Sequence, residues 1–226
     1  MEDLHLTRRQ ALKGAAAAAA LGALAGPTAA FAEGRRRGDD DDENDRGRVR
    51  WDIVLVVTTP CVSPGGTASA FAQDGSKITL TGSGTFPNVR NRCSRDVTGG
   101  GTWQITSTSS DPHCFSGSGR YRVTELLSWT PAPPKFPAGL QDCIGSSADA
   151  TSGLAKLRVQ YDNGTHGVVT VSCDLPGQGH LTCMFEGITA SMEYEDFYRS
   201  DQPQPGVEAN RTLFHFVRGG GDEDNG

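Results

Sequence analysis

The sequence predicts an all-β fold, an antiparallel β-barrel of about eight strands with a β-sandwich as the alternative, on three observations. A glycine pair followed two residues later by an aromatic occurs three times, as Gly82-Ser83-Gly84-Thr85-Phe86, Gly99-Gly100-Gly101-Thr102-Trp103 and Gly117-Ser118-Gly119-Arg120-Tyr121. Around the first two copies apolar and polar residues alternate. Ile78, Leu80, Gly82, Gly84 and Phe86 fall on one face, and Val97, Gly99, Gly101, Trp103 and Ile105 on another, each opposed by threonines. Period-two alternation is the mark of a half-buried strand. Turn residues recur throughout, and the helical patterns that an α/β fold would require are missing.

The chain has 226 residues, enough for one sizeable β domain, which the pattern places at 49–218. Its net charge of -6 supplies no basic patch, so nucleic acid is not an expected partner. No apolar run is long enough for an ordinary membrane span. The N-terminus carries Arg8-Arg9, an Ala/Gly/Leu-rich middle from Gly14 to Gly26, and Ala30-Phe31-Ala32. Together these resemble a twin-arginine export signal over residues 1–32, cut after Ala32, although Ala11 stands where such signals commonly carry Phe. The resemblance implies a bacterial protein, secreted or periplasmic, that folds before export. No cysteine follows the cleavage site, so no membrane anchor is expected on the mature chain. Residues 33–48 combine Arg35-Arg36-Arg37 with an acidic run from Asp39 to Glu43 and read as a disordered charged spacer; 219–226 read as a flexible tail.

From residue 49 the elements follow in order. Val49 to Thr58 is apolar on both faces at its centre, as in a strand buried between neighbours. Pro60, Pro64, Gly65 and Gly66 then break the chain, and the glycine-aromatic strands form a meander that Pro131 to Pro137 ends at Trp129. Leu154 to Tyr161 alternates cleanly, and Thr165 to Cys173 is its hairpin partner. A three-residue Asp162-Asn163-Gly164 loop sets Leu157 opposite Val169 and Ala155 opposite Val171, keeps one apolar face, and gives Gly164 the left-handed bulge position. That register sends His166 outward. A further strand is expected from Leu181 to about Tyr194, and Thr212 to Val217 closes the domain.

All six cysteines, Cys61, Cys93, Cys114, Cys143, Cys173 and Cys183, lie in the exported part. No Cys-x-x-Cys pair occurs, so neither a metal nor a cofactor is expected, and three disulfides are. Cys173 and Cys183 flank a loop between consecutive strands and are expected to pair; the connectivity of the other four is open among the remaining combinations.

No nucleophile elbow, zincin helix, phosphate loop or dinucleotide fingerprint is present. The sharpest catalytic candidate is Glu125, which on a regular strand shares a face with Tyr121, Val123, Leu127 and Trp129. A carboxylate there would be raised in pKa and fit for acid or base work. The alternatives are a bulge that turns it outward or an arginine partner. Glu186 shares a face with Met184, Ile188, Ala190 and Met192, but a direct Cys173–Cys183 bridge would turn it to solvent. Asp111-Pro112-His113-Cys114 sets a cysteine beside a histidine, though adjacent residues rarely face each other, and a loop disulfide accounts for Cys114. The outward threonines suggest either a hydrogen-bonding surface or ordinary exposed strand residues.

The glycine-aromatic repeats, with Phe185-Glu186-Gly187-Ile188-Thr189-Ala190-Ser191 and Asn210-Arg211-Thr212-Leu213-Phe214-His215, resemble a group of exported bacterial proteins of unassigned activity. The Gly-x-Gly-aromatic runs are also similar to those of allene-oxide-cyclase and dirigent-type β-barrels, which implies a barrel but carries over no catalytic residue. Three functions are consistent with this reading. One is binding of a small apolar ligand in the barrel interior, lined by Phe86, Trp103, Tyr121 and Trp129. The second is an isomerase, cyclase or hydrolase acting through Glu125. The third is a structural or cell-surface interaction role with a filled interior. Nothing in the sequence indicates an oligomeric state.

Overall fold

The computed structural model describes residues 47–56, 61–111, 114, 116–133, 136–175 and 181–217. The export signal with Arg8, Arg9 and Ala32, all but the last two residues of the charged spacer, and the tail lie outside the described residues. The described part is all β. Its strands are β1 (Arg48–Val56), β2 (Cys61–Pro64), β3 (Ala68–Phe71), β4 (Lys77–Leu80), β5 (Ser83–Pro87), β6 (Thr98–Thr106), β7 (Gly117–Ala132), β8 (Gln141–Asp142), β9 (Ala150–Tyr161), β10 (His166–Cys173), β11 (Gly187–Met192), β12 (Glu195–Phe197), β13 (Arg199–Ser200) and β14 (Arg211–Val217). Among the described residues no helix is long and apolar enough to cross a membrane.

Six strands close a ring in which every pairing is antiparallel. β1 pairs β5, β5 pairs β6, β6 pairs β7, β7 pairs β9, β9 pairs β14 and β14 returns to β1. The other eight strands lie outside it. β10, β11 and β12 extend the sheet beyond β9, and β4, β3 and β13 extend it beyond β6.

The first glycine repeat is split where the sequence suggests one strand. The chain leaves β4 at Thr81-Gly82 and resumes as β5, and both halves pair with β6. Only the β5 half also pairs with β1, so this break is a corner at which the sheet divides. The interior glycines allow it: a Cβ on Gly101 would overlap the carbonyl of Thr81, and one on Gly82 would stand 2.9 Å from the Trp51 ring. Gly82 and Gly101 thus serve close packing of crossing strands and of Trp51.

The core is aromatic, with ring packed against ring. Phe86 and Trp129 are fully buried with centroids 5.3 Å apart, Phe214 lies 4.7 Å from Trp129, and Tyr161 stands 6.0 Å from Trp103 and 6.2 Å from Tyr121. The Tyr121 hydroxyl donates to Thr81 O at 2.8 Å, and that of Tyr161 to Ser191 O at 2.9 Å. Burial raises the pKa of both phenols, with Tyr161 adding to the effect on Tyr121, and keeps them neutral. On the opposite face of β1 from Trp51, Asp52 is fully buried, and Arg50 holds it with two bonds of 2.8 and 2.9 Å. Such a fork satisfies both carboxylate oxygens.

The β9–β10 hairpin has the register its turn chemistry dictates. Leu157 faces Val169, Ala155 faces Val171, Gly164 takes φ +91°, and His166 is exposed. Two elements differ from the sequence expectation. β7 runs on to Ala132, with Pro131 opposite Gly153, so the prolines end the strand later than Trp129. β11 begins at Gly187 instead of Leu181, because the chain turns at Thr182-Cys183.

That late start also corrects the cysteine pairing. In the β10–β11 ladder Ser172 faces Gly187, which leaves Cys183 beyond the end of the strand. Cys173 is a buried free thiol and Cys183 an exposed one, so the expected Cys173–Cys183 bridge is not formed. Burial is the main reason the Cys173 thiol has a pKa well above its usual value. The disulfide of the described residues joins Cys61 to Cys143, across 82 residues. Cys93 and Cys114 are also free, which removes the loop disulfide expected at Cys114. The two sit apart: the Cys93 thiol lies against Leu127 O, and Cys114 is beside Asp74 at the β3–β4 turn.

Candidate functional site

Glu125 is not inward. β7 carries register shifts between Val123 and Glu125 and again between Leu126 and Ser128, so the buried face passes from Val123 to Leu126 and then to Trp129. Each bulge adds a residue and reverses the parity of the strand. Glu125 is thereby turned toward the outer face of β9, where Arg158, half exposed, donates to its Oε2 at 2.9 Å. A proton-transfer role for Glu125 has no site to act in. Glu125→Gln is expected to change unfolding free energy by less than about 1 kcal/mol, as for other solvent-facing ion pairs. Urea denaturation measures this, and a loss of several kcal/mol would show that the pair is not peripheral.

The four aromatic candidates fall in two clusters: Phe86 packs on Trp129, and Trp103 and Tyr121 each pack on Tyr161. Trp103 Nε1 donates to Asp162 Oδ1 at 3.0 Å, and Trp129 Nε1 to Asn88 Oδ1 at 3.1 Å. Asp162 is held below the usual carboxylate range by the amide of Arg120, 2.8 Å away, and by the Trp103 indole. The outward threonines also spend their hydroxyls on each other, Thr81 with Thr102 at 2.8 Å and Thr85 with Thr98 at 2.9 Å.

A further buried carboxyl belongs to Glu186. It lies one residue before β11, on the face of Ile188, Ala190 and Met192. Although the residue as a whole keeps some solvent contact, its carboxyl is enclosed. The amide of Asp174 donates to Oε2 at 2.5 Å, and that of Thr212 donates to Oε1 at 2.6 Å, joined by the Thr212 hydroxyl at 3.3 Å. Burial pushes its pKa up to about 7, against the lowering effect of these bonds and of the Arg211 charge.

Glu186 borders a cavity of about 150 Å³. Val54 and Val56 at the end of β1, Val62 of β2 and Leu213 of β14 form apolar walls, Leu175 another, and Phe136, Pro137 and Leu140 a cover. Arg211, Thr212 and Asp174 complete the polar end with Glu186. An apolar pocket with a few convergent polar groups is the arrangement of a small-molecule site. The residues come from five stretches far apart in sequence, and the one local signal was Glu186 itself, at the alternation position of an apolar strand.

The raised pKa has a stability consequence whose sign is fixed. The folded value of about 7 exceeds the unfolded value of 4.5, so between these pH values the folded state binds more protons and stability falls as pH rises. This group therefore favours folding most below about pH 4.5, and the contribution is lost as pH rises through 7, by roughly 3 kcal/mol. In Glu186→Gln the amide nitrogen would face one of the two backbone donors, so the variant is less stable, but its loss does not titrate. The difference between wild-type and variant urea-unfolding free energies is expected to shrink from pH 5 to pH 8, and parallel profiles would contradict the assignment.

A second buried pair lies on the other side of the cover. His215 Nε2 and Asp142 Oδ2 are 2.6 Å apart with both side chains almost wholly enclosed. Asp142 Oδ1 accepts from the amides of Ile144 and Gly145. The carboxylate accepts, so Nε2 carries the hydrogen, while Nδ1 is buried without a hydrogen-bond partner. Among the described residues no group of three or more His, Cys, Asp or Glu is arranged to hold a metal ion.

The chain matches no family model, no curated protein and no solved structure at a significant level.

Proposed function

We propose that this is an exported β-barrel protein that binds a small apolar ligand, taken in the side pocket beside Glu186 and not along the barrel axis. The observation that carries the reading is the half-open pocket itself, apolar on its walls with the Glu186 carboxyl at its polar end. A cavity near 150 Å³ suits a molecule of about the size of benzene, or the end of a longer chain. The twin-arginine pattern at Arg8-Arg9 supports action outside the cytoplasm, and the Cys61–Cys143 disulfide is compatible with an oxidising compartment.

The test is calorimetry and thermal shift with benzene, indole and short-chain alcohols on the wild type and on Val62→Phe, which fills the pocket. Saturable binding that raises the melting temperature only in the wild type is the expected result. Because Val62→Phe risks misfolding, chemical-shift changes in the wild type are read as well, and they should centre on Val54, Val62 and Leu213. An absence of binding, or shifts centred elsewhere, would end the proposal.

The enzyme reading is favoured by one observation, the carboxyl poised near neutral pH at the pocket wall. It predicts that Glu186→Gln still binds the ligand but no longer turns it over. The packed barrel axis is what a structural or cell-surface role requires, and that role is the outcome if the pocket takes nothing.

A further inference from the structure

We propose that the segment from Phe136 to Asp149 is a gate over the apolar pocket and that the Cys61–Cys143 disulfide is its latch, so that thiol–disulfide exchange sets how fast a ligand enters and leaves. The proposal rests on the reading of that pocket as a ligand site. Its starting point is an asymmetry in how the pocket walls are held. Val54 and Leu213 belong to β1 and β14, which pair with each other and lie in the closed ring. The cover contributed by Phe136, Pro137 and Leu140 has no such support. Its one strand is β8, two residues long, which pairs in parallel with β2 at Cys61↔Gln141 and Val62↔Asp142.

Between Phe136, which packs on the core, and Asp149, whose carbonyl accepts from Phe216, the ties of this segment centre on residues 141–145. The Cys143 amide donates to Val62 O at 2.9 Å, the disulfide ties the residue after β8 to Cys61 of β2, and Asp142 reaches His215 at 2.6 Å. Asp142 in turn holds the amides of Ile144 and Gly145. The covalent tie thus stands next to the only ladder the cover possesses and three residues from Leu140, which is partly exposed at the pocket. A short parallel pairing is a weak restraint, and short stretches with few buried contacts open locally at small free-energy cost. With the bridge closed, Gln141 and Asp142 cannot leave β2 by more than the reach of two side chains. With it open, what remains is non-covalent: the two-residue ladder to β2, the Cys143 to Val62 and Phe216 to Asp149 backbone bonds, the Asp142–His215 bond, and the packing of Phe136 and Ile144 on the core.

The chemistry is a two-electron exchange. A dithiol reductant attacks the Cys61–Cys143 bond and ends as its own disulfide, while Cys61 and Cys143 each gain one electron and one proton; a disulfide donor runs the step in reverse. The other four cysteines are free thiols, so a reductant has this one bond to act on among the described residues.

Two measurements on the full exported domain separate the gate from the ligand reading. Hydrogen exchange is followed in the oxidised protein, in protein reduced with a phosphine well below its melting temperature, and in Cys61→Ser. The amides of Cys143, Ile144 and Gly145 are expected to exchange at least tenfold faster once the bridge is open, with Leu157 and Val159 in the barrel wall unchanged. Stopped-flow release of indole is expected to quicken at least tenfold in the same samples. Unchanged exchange at those three amides overturns the gate even if indole binds. Faster exchange with no indole binding in either state overturns the pocket reading and leaves a latched strap without that role. General acceleration that includes Leu157 would show that the bond supports the whole barrel instead, and would also overturn the gate.

Discussion

Gly101→Ala is expected to lose the cooperative fold, or to retain it with at least about 3 kcal/mol less stability. Gly101 sits where β6 passes the corner between β4 and β5. A methyl group there would overlap the Thr81 carbonyl oxygen and stand 2.6 Å from its carbon and 2.8 Å from Gly82 Cα. All three are backbone atoms, so no side-chain rotation relieves the overlap, and the strands themselves have to part. Parting them breaks the Thr81 N to Thr102 O bond of 3.1 Å and disturbs Ile53 N to Gly82 O at 2.8 Å. Gly117→Ala is the control, since its methyl would meet only the edge of the Trp103 ring at 3.2 Å, and a side chain can give way. Near-ultraviolet circular dichroism with thermal melting distinguishes the two. Equal melting temperatures would mean that the corner is softer than the geometry states.

Trp129→Ala is expected to cost about 4 kcal/mol, in the range for removal of a large buried aromatic. The ring is wholly enclosed, packs on Phe86 and Phe214, lies over Gly153, and fixes Asn88 through its indole nitrogen. Gly153 cannot fill the vacancy, and the ring partners belong to β5 and β14, both fixed in the closed barrel. The site therefore collapses poorly, which keeps the loss away from the lower end of that range. Equilibrium urea unfolding gives the number. A loss below about 1 kcal/mol would show that the neighbouring rings rearrange to close the space.

What the sequence made legible was local or periodic. The β9–β10 register followed from Asp162-Asn163-Gly164, because one turn geometry alone keeps Leu157, Ala155, Val169 and Val171 on one face. The first glycine pair was legible as facing the core, since Gly82 and Gly84 share parity with Phe86 and lie against Trp51, whereas Gly99 is exposed and Gly119 faces Asp162. Glu125 was misplaced because parity holds only while a strand is regular, and β7 has two bulges that no residue type in Val123 to Ser128 announces. Glu186 was displaced in the reading by a disulfide that the turn at Cys183 prevents from forming. The Asp142–His215 pair joins residues 73 apart, and its geometry depends on β8 lying against β2, a contact of two residues with no periodic signal.

The first and last strands of the barrel lie side by side, with Arg48 opposite Val217. In space the described chain therefore forms a circle whose two ends differ from its other connections only in lacking a covalent joint. A short linker from Val217 to Arg48 would supply that joint, and the exposed turn at Asn163-Gly164 would serve as new termini, leaving each of the six barrel pairings in place. The order of strands along the gene is then one of several that specify this barrel. The original order has a kinetic cost: its ring stays open until residues 211–217 arrive, the slow course that long-range pairing imposes on a β-fold.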